Sequence, residues 1–399
     1  MTRSYSLEEF RSHFPALERA AFFDNAGGTQ TPLPVARAIA GAFTAGLSQR
    51  GAAYAAARNS DGIVLAARAA MGDFLNIDPN GVVFGRSATQ LIFDFADTLT
   101  AGLGAGDEIV VSRLDHDANV RPWVLAAEKV GALVRWIDFD PATGDLTTTD
   151  VERVLSPRTK LVALTAASNL YGSKPNLPAI AKRVHELGAT FFVDAVAYAP
   201  HELVDFPALG ADYLVCSPYK FFGPHLGVLA ARPGTLERLA PRKLLPSPES
   251  VPERFEQGTL PYELLAGVSA TVDFLAGFSS FRSRRERLED FYAVAGAHEE
   301  ALAGKIVAGL EDIPTARRIG APAHPTPTAL FTVEGRTVTE IARLLGERDV
   351  AVSAGTFYAH EAAARARLGD GGIRVSLAPY TSEDDVEALL AAVREIATR

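Results

Sequence analysis

The sequence has 399 residues, 48% hydrophobic and 22% charged, with 39 Lys and Arg against 48 Asp and Glu, a net charge of -9. This balance fits a folded globular chain long enough for two domains and excludes a disordered one. The acidic excess argues against nucleic acid as a partner, and the single cysteine, Cys216, excludes an internal disulfide framework and cysteine-based zinc sites.

The opening stretch Met1-Thr-Arg-Ser-Tyr-Ser-Leu-Glu-Glu-Phe10 has no apolar targeting core, and no later run is long and apolar enough to span a membrane. A cytoplasmic address, with no membrane partner, is therefore expected. Ser6-Leu-Glu-Glu9 has capping-box spacing and predicts a short helix that stops before Pro15. Strands are predicted at Glu108-Ile-Val-Val-Ser112, 133–139, 161–165, Phe191-Phe-Val-Asp194, Tyr213-Leu-Val-Cys216 and 227–231. Helical patterns fall between them, one of them over 179–187 before Gly188. That alternation predicts a mostly parallel sheet covered on both faces. A Pro-, Lys- and Ser-rich break at 241–252 precedes a long helical region from 262 to about 310. The C-terminal part then reads as strand 329–333, helix 338–348, strands 350–352 and 373–376, and helix 383–398. The expected organisation is an N-terminal segment, 1–20, packed on the small domain, a large domain over 21–262, and a small α+β domain over 263–399.

Chemistry concentrates where strands end. Ser217-Pro-Tyr-Lys220-Phe-Phe-Gly223 follows an apolar strand, so Lys220 points into the crevice where α/β enzymes hold ligands. A desolvated lysine beside a phosphate-binding serine suits Schiff-base chemistry with pyridoxal phosphate, and Asp194 at the neighbouring strand end supplies the carboxylate that a pyridinium nitrogen needs. His116 sits after the strand ending at Ser112, either stacking on such a ring or as an ordinary polar loop residue. Arg86-Ser-Ala-Thr-Gln90 opens a helix, where free N–H groups attract phosphate and where Ser87 equally serves as an N-cap. No metal site is expected.

These pieces, with Phe23-Asp-Asn-Ala-Gly-Gly28, Asp115-His-Asp-Ala-Asn119 before Pro122-Trp123, Ser168-Asn-Leu-Tyr-Gly172, Arg254-Phe-Glu-Gln-Gly-Thr259 and Ile373-Arg374, stand in an order that resembles the class V aminotransferase group. This group belongs to the fold-type I pyridoxal-phosphate enzymes, and the likeness is nearest to cysteine desulfurases and selenocysteine lyases. The resemblance runs from about residue 10 to the end and implies an α/β large domain with a seven-stranded, mostly parallel sheet. It implies that Lys220 attaches the cofactor covalently and then shuttles protons, with Asp194 on the ring nitrogen, His116 on the ring face and Asn169 on the ring oxygen. Ala88, Thr89 and Ser217 would hold the phosphate, and Thr259 would reach the phosphate of a neighbouring subunit in a homodimer with composite active sites. Arg374 would clamp the substrate carboxylate, with Asn25, Ala26 and Tyr358 also beside the substrate.

Three positions depart from the desulfurase pattern. Tyr358 stands where the nucleophilic cysteine would be, Ala197 where a glutamine usually contacts the ring oxygen, and Ser353 where an arginine often precedes the loop. A phenol forms no persulfide, and Cys216 lies in a strand as a small hydrophobe. The expected activity is therefore Cα chemistry on an amino acid, foremost β-elimination of the C–S lyase type, with Tyr358 as a general acid if it faces the cofactor. Transamination, epimerisation and non-catalytic pyridoxal binding are the alternatives.

Overall fold

A computed structural model gives the structure of this chain and describes residues 5–398. Met1 to Ser4, part of the stretch read for a targeting signal, lie outside the described residues.

A short strand, β1 (Ala21–Phe22), precedes the main sheet, whose strands are β2 (Val82–Gly85), β3 (Glu108–Ser112), β4 (Leu133–Ile137), β5 (Thr159–Thr165), β6 (Thr190–Asp194), β7 (Tyr213–Cys216) and β8 (Gly227–Ala231). They form one seven-stranded sheet in the order β2-β8-β7-β6-β5-β3-β4. Strands β4, β3, β5, β6 and β7 run parallel, and β8 alone is antiparallel to both its neighbours. Alternate residues of each strand feed opposite cores. Val110, Val162, Phe191 and Val193 face one, packed by the helix Leu177–Glu186, and Ile109, Val111, Leu161 and Phe192 face the other, beneath Ala88–Thr100 and Arg121–Val130. Burial on both faces explains why these strands read as continuous apolar runs rather than alternating ones.

The C-terminal part carries β9 (Ala316–Ile319), β10 (Thr328–Val333), β11 (Val350–Ala351), β12 (Ser353–Gly355) and β13 (Gly372–Ser376). Four of them make an antiparallel sheet, β12-β13-β10-β9, while β11 pairs in parallel with β1. The strand expected at 350–352 is thus β11, which ends at Ala351, and beyond Val352 a separate strand, β12, joins the other sheet. The long helical region is likewise two helices, Tyr262–Ala276 and Arg284–Glu311, because Gly277 closes the first and a Ser283–Glu286 capping box opens the second. Strand β9 and the helix His360–Arg365 carry no sequence pattern that announces them; β9 is Ala-Arg-Arg-Ile, with both arginines exposed.

Ser6 caps the helix Leu7–Ser12 as its spacing predicts. From that helix Arg11 reaches Asp385 at 2.6 Å and the Tyr380 carbonyl at 2.7 Å, and Phe10 is buried among Phe274, Phe278 and Phe291. No helix among the described residues is long and apolar enough to cross a membrane.

Candidate active site

The ends of β3, β5, β6 and β7 lie along one edge of the parallel sheet, and each delivers a polar residue at or just beyond it: His116, Asn169, Asp194 and Lys220. In open parallel sheets this edge is where ligands bind.

Lys220 ends a single 3-10 turn, Pro218–Lys220, that follows β7 directly. Its Nζ donates to the Gly27 carbonyl at 2.9 Å and also to that of Ala26. Burial, followed by the nearby Arg374 cation, lowers its pKa to about 8, although Asp24 and Asp194 pull the other way. Asp194 is buried, and its Oδ1 accepts from Val196 N at 2.8 Å. Burial raises its pKa to about 6, partly offset by that hydrogen bond and by Lys220.

His116 accepts from Ala118 N at its Nδ1, 3.0 Å, which places the ring proton on Nε2. Burial and then Lys220 hold its pKa down at about 4, so the imidazole is neutral at physiological pH. The loop that bears it is anchored from below. Ser112 and Asn119 both donate to the buried Asp115 carboxylate, the latter at 2.7 Å, and Trp123 donates to Asn119 at 3.1 Å. That anchor uses residues of the Asp115-to-Trp123 motif to which the sequence assigned no task.

Ser87 caps the helix Ala88–Thr100, its side chain accepting from Gln90 N at 3.1 Å, so the capping reading holds. The N–H groups of Ala88 and Thr89 remain at the start of this helix, with Thr89 exposed and the Ser217 side chain buried at the end of β7. A Cβ at Gly227 would lie 2.3 Å from the Ser87 carbonyl carbon and 2.6 Å from Ala88 N. Only glycine lets β8 pass this close to the helix start.

Arg374 is buried, on β13. Its Nη1 donates to the Asn169 carbonyl at 2.9 Å, its Nη2 lies 3.5 Å from Asp24 Oδ1, and among the described residues its Nε has no hydrogen-bond partner. Burial lowers its pKa to about 10. Asp24 Oδ1 and Asn169 Oδ1 are likewise buried without a hydrogen bond, while Asp24 Oδ2 accepts from Ser353. Buried polar atoms are nearly always satisfied, so Arg374 Nε and Asn169 Oδ1, which among the described residues lack both a hydrogen bond and an ion pair, mark a place built for a polar ligand.

One expectation needs correction. Asn25 turns away from the site: its amide nitrogen donates to the Phe22 and Ser376 carbonyls at 3.1 and 2.7 Å, and its oxygen accepts from Tyr380. Its side chain is committed to the fold rather than to a substrate, whereas the main chain of Ala26 does meet Lys220. Tyr358 is 77% exposed and lies against His116, ring centroids 5.6 Å apart and planes 22° off parallel. Cys216 is fully buried, and burial followed by Asp194 drives its thiol pKa far up. Thr259 is exposed and hydrogen-bonded to Gln49 at 3.0 Å; among the described residues no hydrogen bond or ion pair joins it to Lys220 or Ala88. Sequence reasoning gave no role to Asp24 or to Phe357, whose ring lies 4.1 Å from the Arg374 guanidinium carbon. Asp24 had one available signal, its place in the Phe23-to-Gly28 motif.

The family model for aminotransferase class-V matches residues 21–389. The chain is 31% identical over 411 residues to the aminotransferase-like protein FGM3 of Gibberella zeae, covering 98% of this chain and 99% of that one. It is 30% identical to a probable cysteine desulfurase of Pseudomonas aeruginosa, with 96% of each chain covered. Among solved structures, the cysteine desulfurase CsdA of Escherichia coli superposes with a TM-score of 0.86 at 27% identity, covering 99% of this chain and 98% of that one.

Proposed function

The chain belongs to the class-V aminotransferase family, and from that premise we propose that it works at Cα of a sulfur-bearing amino acid, cleaving its C–S bond by β-elimination without a protein-bound persulfide. It is a pyridoxal-phosphate-dependent enzyme, as members of this family are. The residues present fit that cofactor. Asp194 offers a buried carboxylate for the ring nitrogen and His116 a neutral flat ring for stacking, while Asn169 beside the crevice holds the Phe357 carbonyl with its Nδ2 and keeps Oδ1 as a free acceptor. The helix start at Ala88 and Thr89, with Ser217, supplies the phosphate donors. When bound, the cofactor supplies a sink for the electron pair left at Cα.

The rest falls to the chain. Lys220, with a pKa of about 8, is partly unprotonated near neutral pH and takes the Cα proton. Asp194 keeps a negative charge opposite the ring nitrogen. Arg374 offers its unpartnered Nε to the substrate carboxylate, which orients Cα over the lysine. The β-sulfur leaves as a thiolate and takes up a proton, and the unsaturated product hydrolyses to a keto acid and ammonia. Thr259, exposed at the surface, reaches the phosphate of a second copy, which makes the working unit a homodimer.

The observation that carries the absence of a persulfide is Cys216, the only thiol, walled into β7 with a strongly raised pKa. Thiolate rather than thiol is the sulfur nucleophile. The test is a panel of cysteine, its S-conjugates and other amino acids, with keto acid, ammonia and thiol followed separately. Equal yields of pyruvate, ammonia and thiol support elimination. A keto acid that keeps the substrate side chain, with no ammonia, establishes transamination instead. Lys220→Ala should leave no cofactor attached after borohydride reduction, and attachment in that variant would overturn the assignment of Lys220.

A further inference from the structure

The segment after β12 makes an unusual turn. Phe357 and Tyr358 have φ values of +55° and +57°, and Gly355 just before them has +129°. Left-handed backbone costs a non-glycine residue about 1–2 kcal/mol, so two in succession persist only where surrounding contacts impose them.

Those contacts come from the loops that bear the site. The Phe357 carbonyl accepts from Asn169 Nδ2 and the Tyr358 carbonyl from Asp117 N, both at 2.8 Å. In the helix that follows, His360–Arg365, Glu361 takes Arg113 at 2.5 Å and Arg121 at 4.0 Å, and Asp138 holds both Arg113 and Arg365. Arg113 and Arg121 flank His116 in sequence. The turn is therefore tied to the loop carrying His116 on one side and to Asn169 on the other.

The held turn places two successive rings on two flat polar groups. The Arg374 guanidinium carbon lies over the Phe357 ring, 4.1 Å from its centroid, and the exposed Tyr358 ring lies along the imidazole of His116. The guanidinium held over this ring keeps its unpartnered Nε for a ligand. Tyr358 takes one face of the imidazole and leaves the other for the cofactor. We infer that Phe357 and Tyr358 form one aromatic clamp, in which Phe357 is the positioning residue for Arg374 and Tyr358 the positioning residue for His116. This rests on the roles given to Arg374 and His116 under the proposed function.

The clamp separates substrate binding from cofactor binding by residue. Tyr358→Ala should raise the dissociation constant for pyridoxal phosphate roughly three- to tenfold, the size of an aromatic pair. Tyr358→Phe should restore it, since the ring and not the hydroxyl does the positioning. Phe357→Ala, and Phe357→Leu, which keeps apolar bulk without a ring face, should each raise about tenfold the L-alanine concentration that half-saturates the change in cofactor absorbance. Cofactor affinity in both Phe357 variants should stay at the wild-type value. The clamp is overturned if Tyr358→Ala binds cofactor like wild type or Tyr358→Phe binds as weakly as Tyr358→Ala. It is equally overturned if the Phe357 variants half-saturate at the wild-type concentration of L-alanine. A wild type that takes up no cofactor sinks the functional reading and the clamp together; unchanged variants of a wild type that does take it up sink the clamp alone.

Discussion

Asp194 and Cys216 show how burial at one strand edge can prepare one residue and silence another. The pKa of Asp194 is raised to about 6, so the carboxylate charge is present above pH 6 and lost below it. Affinity for pyridoxal phosphate should accordingly fall up to about tenfold per pH unit below 6, and Asp194→Asn should flatten that dependence. Without cofactor the sign reverses. The folded state holds a proton on Asp194 between the ordinary carboxyl pKa and about 6, where the unfolded chain has released it, so this group's stabilisation fades as pH rises through that window. Comparing denaturation of cofactor-free wild type and Asp194→Asn across pH 4 to 7 checks the direction, and a difference independent of pH refutes it. For Cys216 the prediction is silence. Cys216→Ser should keep turnover within about threefold of wild type, since a buried thiol takes no part in the chemistry, and should cost about 1 kcal/mol or so in stability for the buried hydroxyl. A folded, cofactor-loaded but inactive Cys216→Ser, or a persulfide trapped on Cys216, would return the chain to desulfurase chemistry.

Among the elements, the helix Ala88–Thr100 and strand β8 depend on each other through Gly227. Gly227→Ala puts a methyl group against Ser87 and Ala88 backbone, which cannot swing aside as a side-chain tip would. Overpacking of this kind costs about 1–3 kcal/mol, so the melting temperature should fall. Cofactor affinity should fall with it, because the displaced atoms belong to the helix start. A melting point and a cofactor titration both matching wild type would show that the contact is slack. The contrast between Lys220 and Asp24 explains what the sequence discloses. Lys220 is readable because a strand, a turn and the lysine follow one another within ten residues, so local pattern suffices. Asp24 and Ser353 are 329 residues apart, and neither lies in a pattern that names the other. The start of the helix Ala88–Thr100 was legible for the same reason as Lys220. The Phe357–Tyr358 turn was not, because its left-handed conformation is imposed by Asn169 and Asp117 rather than by glycine or asparagine at those positions. Strand β8 was found, but its direction was not, since an apolar run carries no sense of orientation.

Over the whole molecule, the exposed apolar residues call for a partner surface. Leu245 is 99% exposed and Leu244 70%, in the loop that follows the main sheet, and Phe43 is 68% exposed. The nearby segment that ends in Thr259 is fixed to the sheet by a buried pair, Arg68 to Glu256 at 2.7 Å, while Glu256 also accepts from Phe84 N. A rigidly mounted but outward-facing threonine fits a role in a second subunit. Sedimentation should show a dimer at micromolar concentration. Leu244→Asp combined with Leu245→Asp should weaken the dimer and cut turnover with it, and full turnover from a monomer would end the composite-site reading.

The pairing of β1 with β11 has a consequence in time. Residues 86–227, which hold the groups assigned to the cofactor apart from Thr259, leave the ribosome well before Ser353 and Arg374. At about 5–20 residues per second, Asp24 waits on the order of tens of seconds for Ser353, its partner 329 residues later. A nascent chain thus gains the groups assigned to the cofactor before it has the arginine assigned to the substrate. Its last-made strands act as a commissioning step, and a chain broken off early is left with the reagent's seat but with no means of using it.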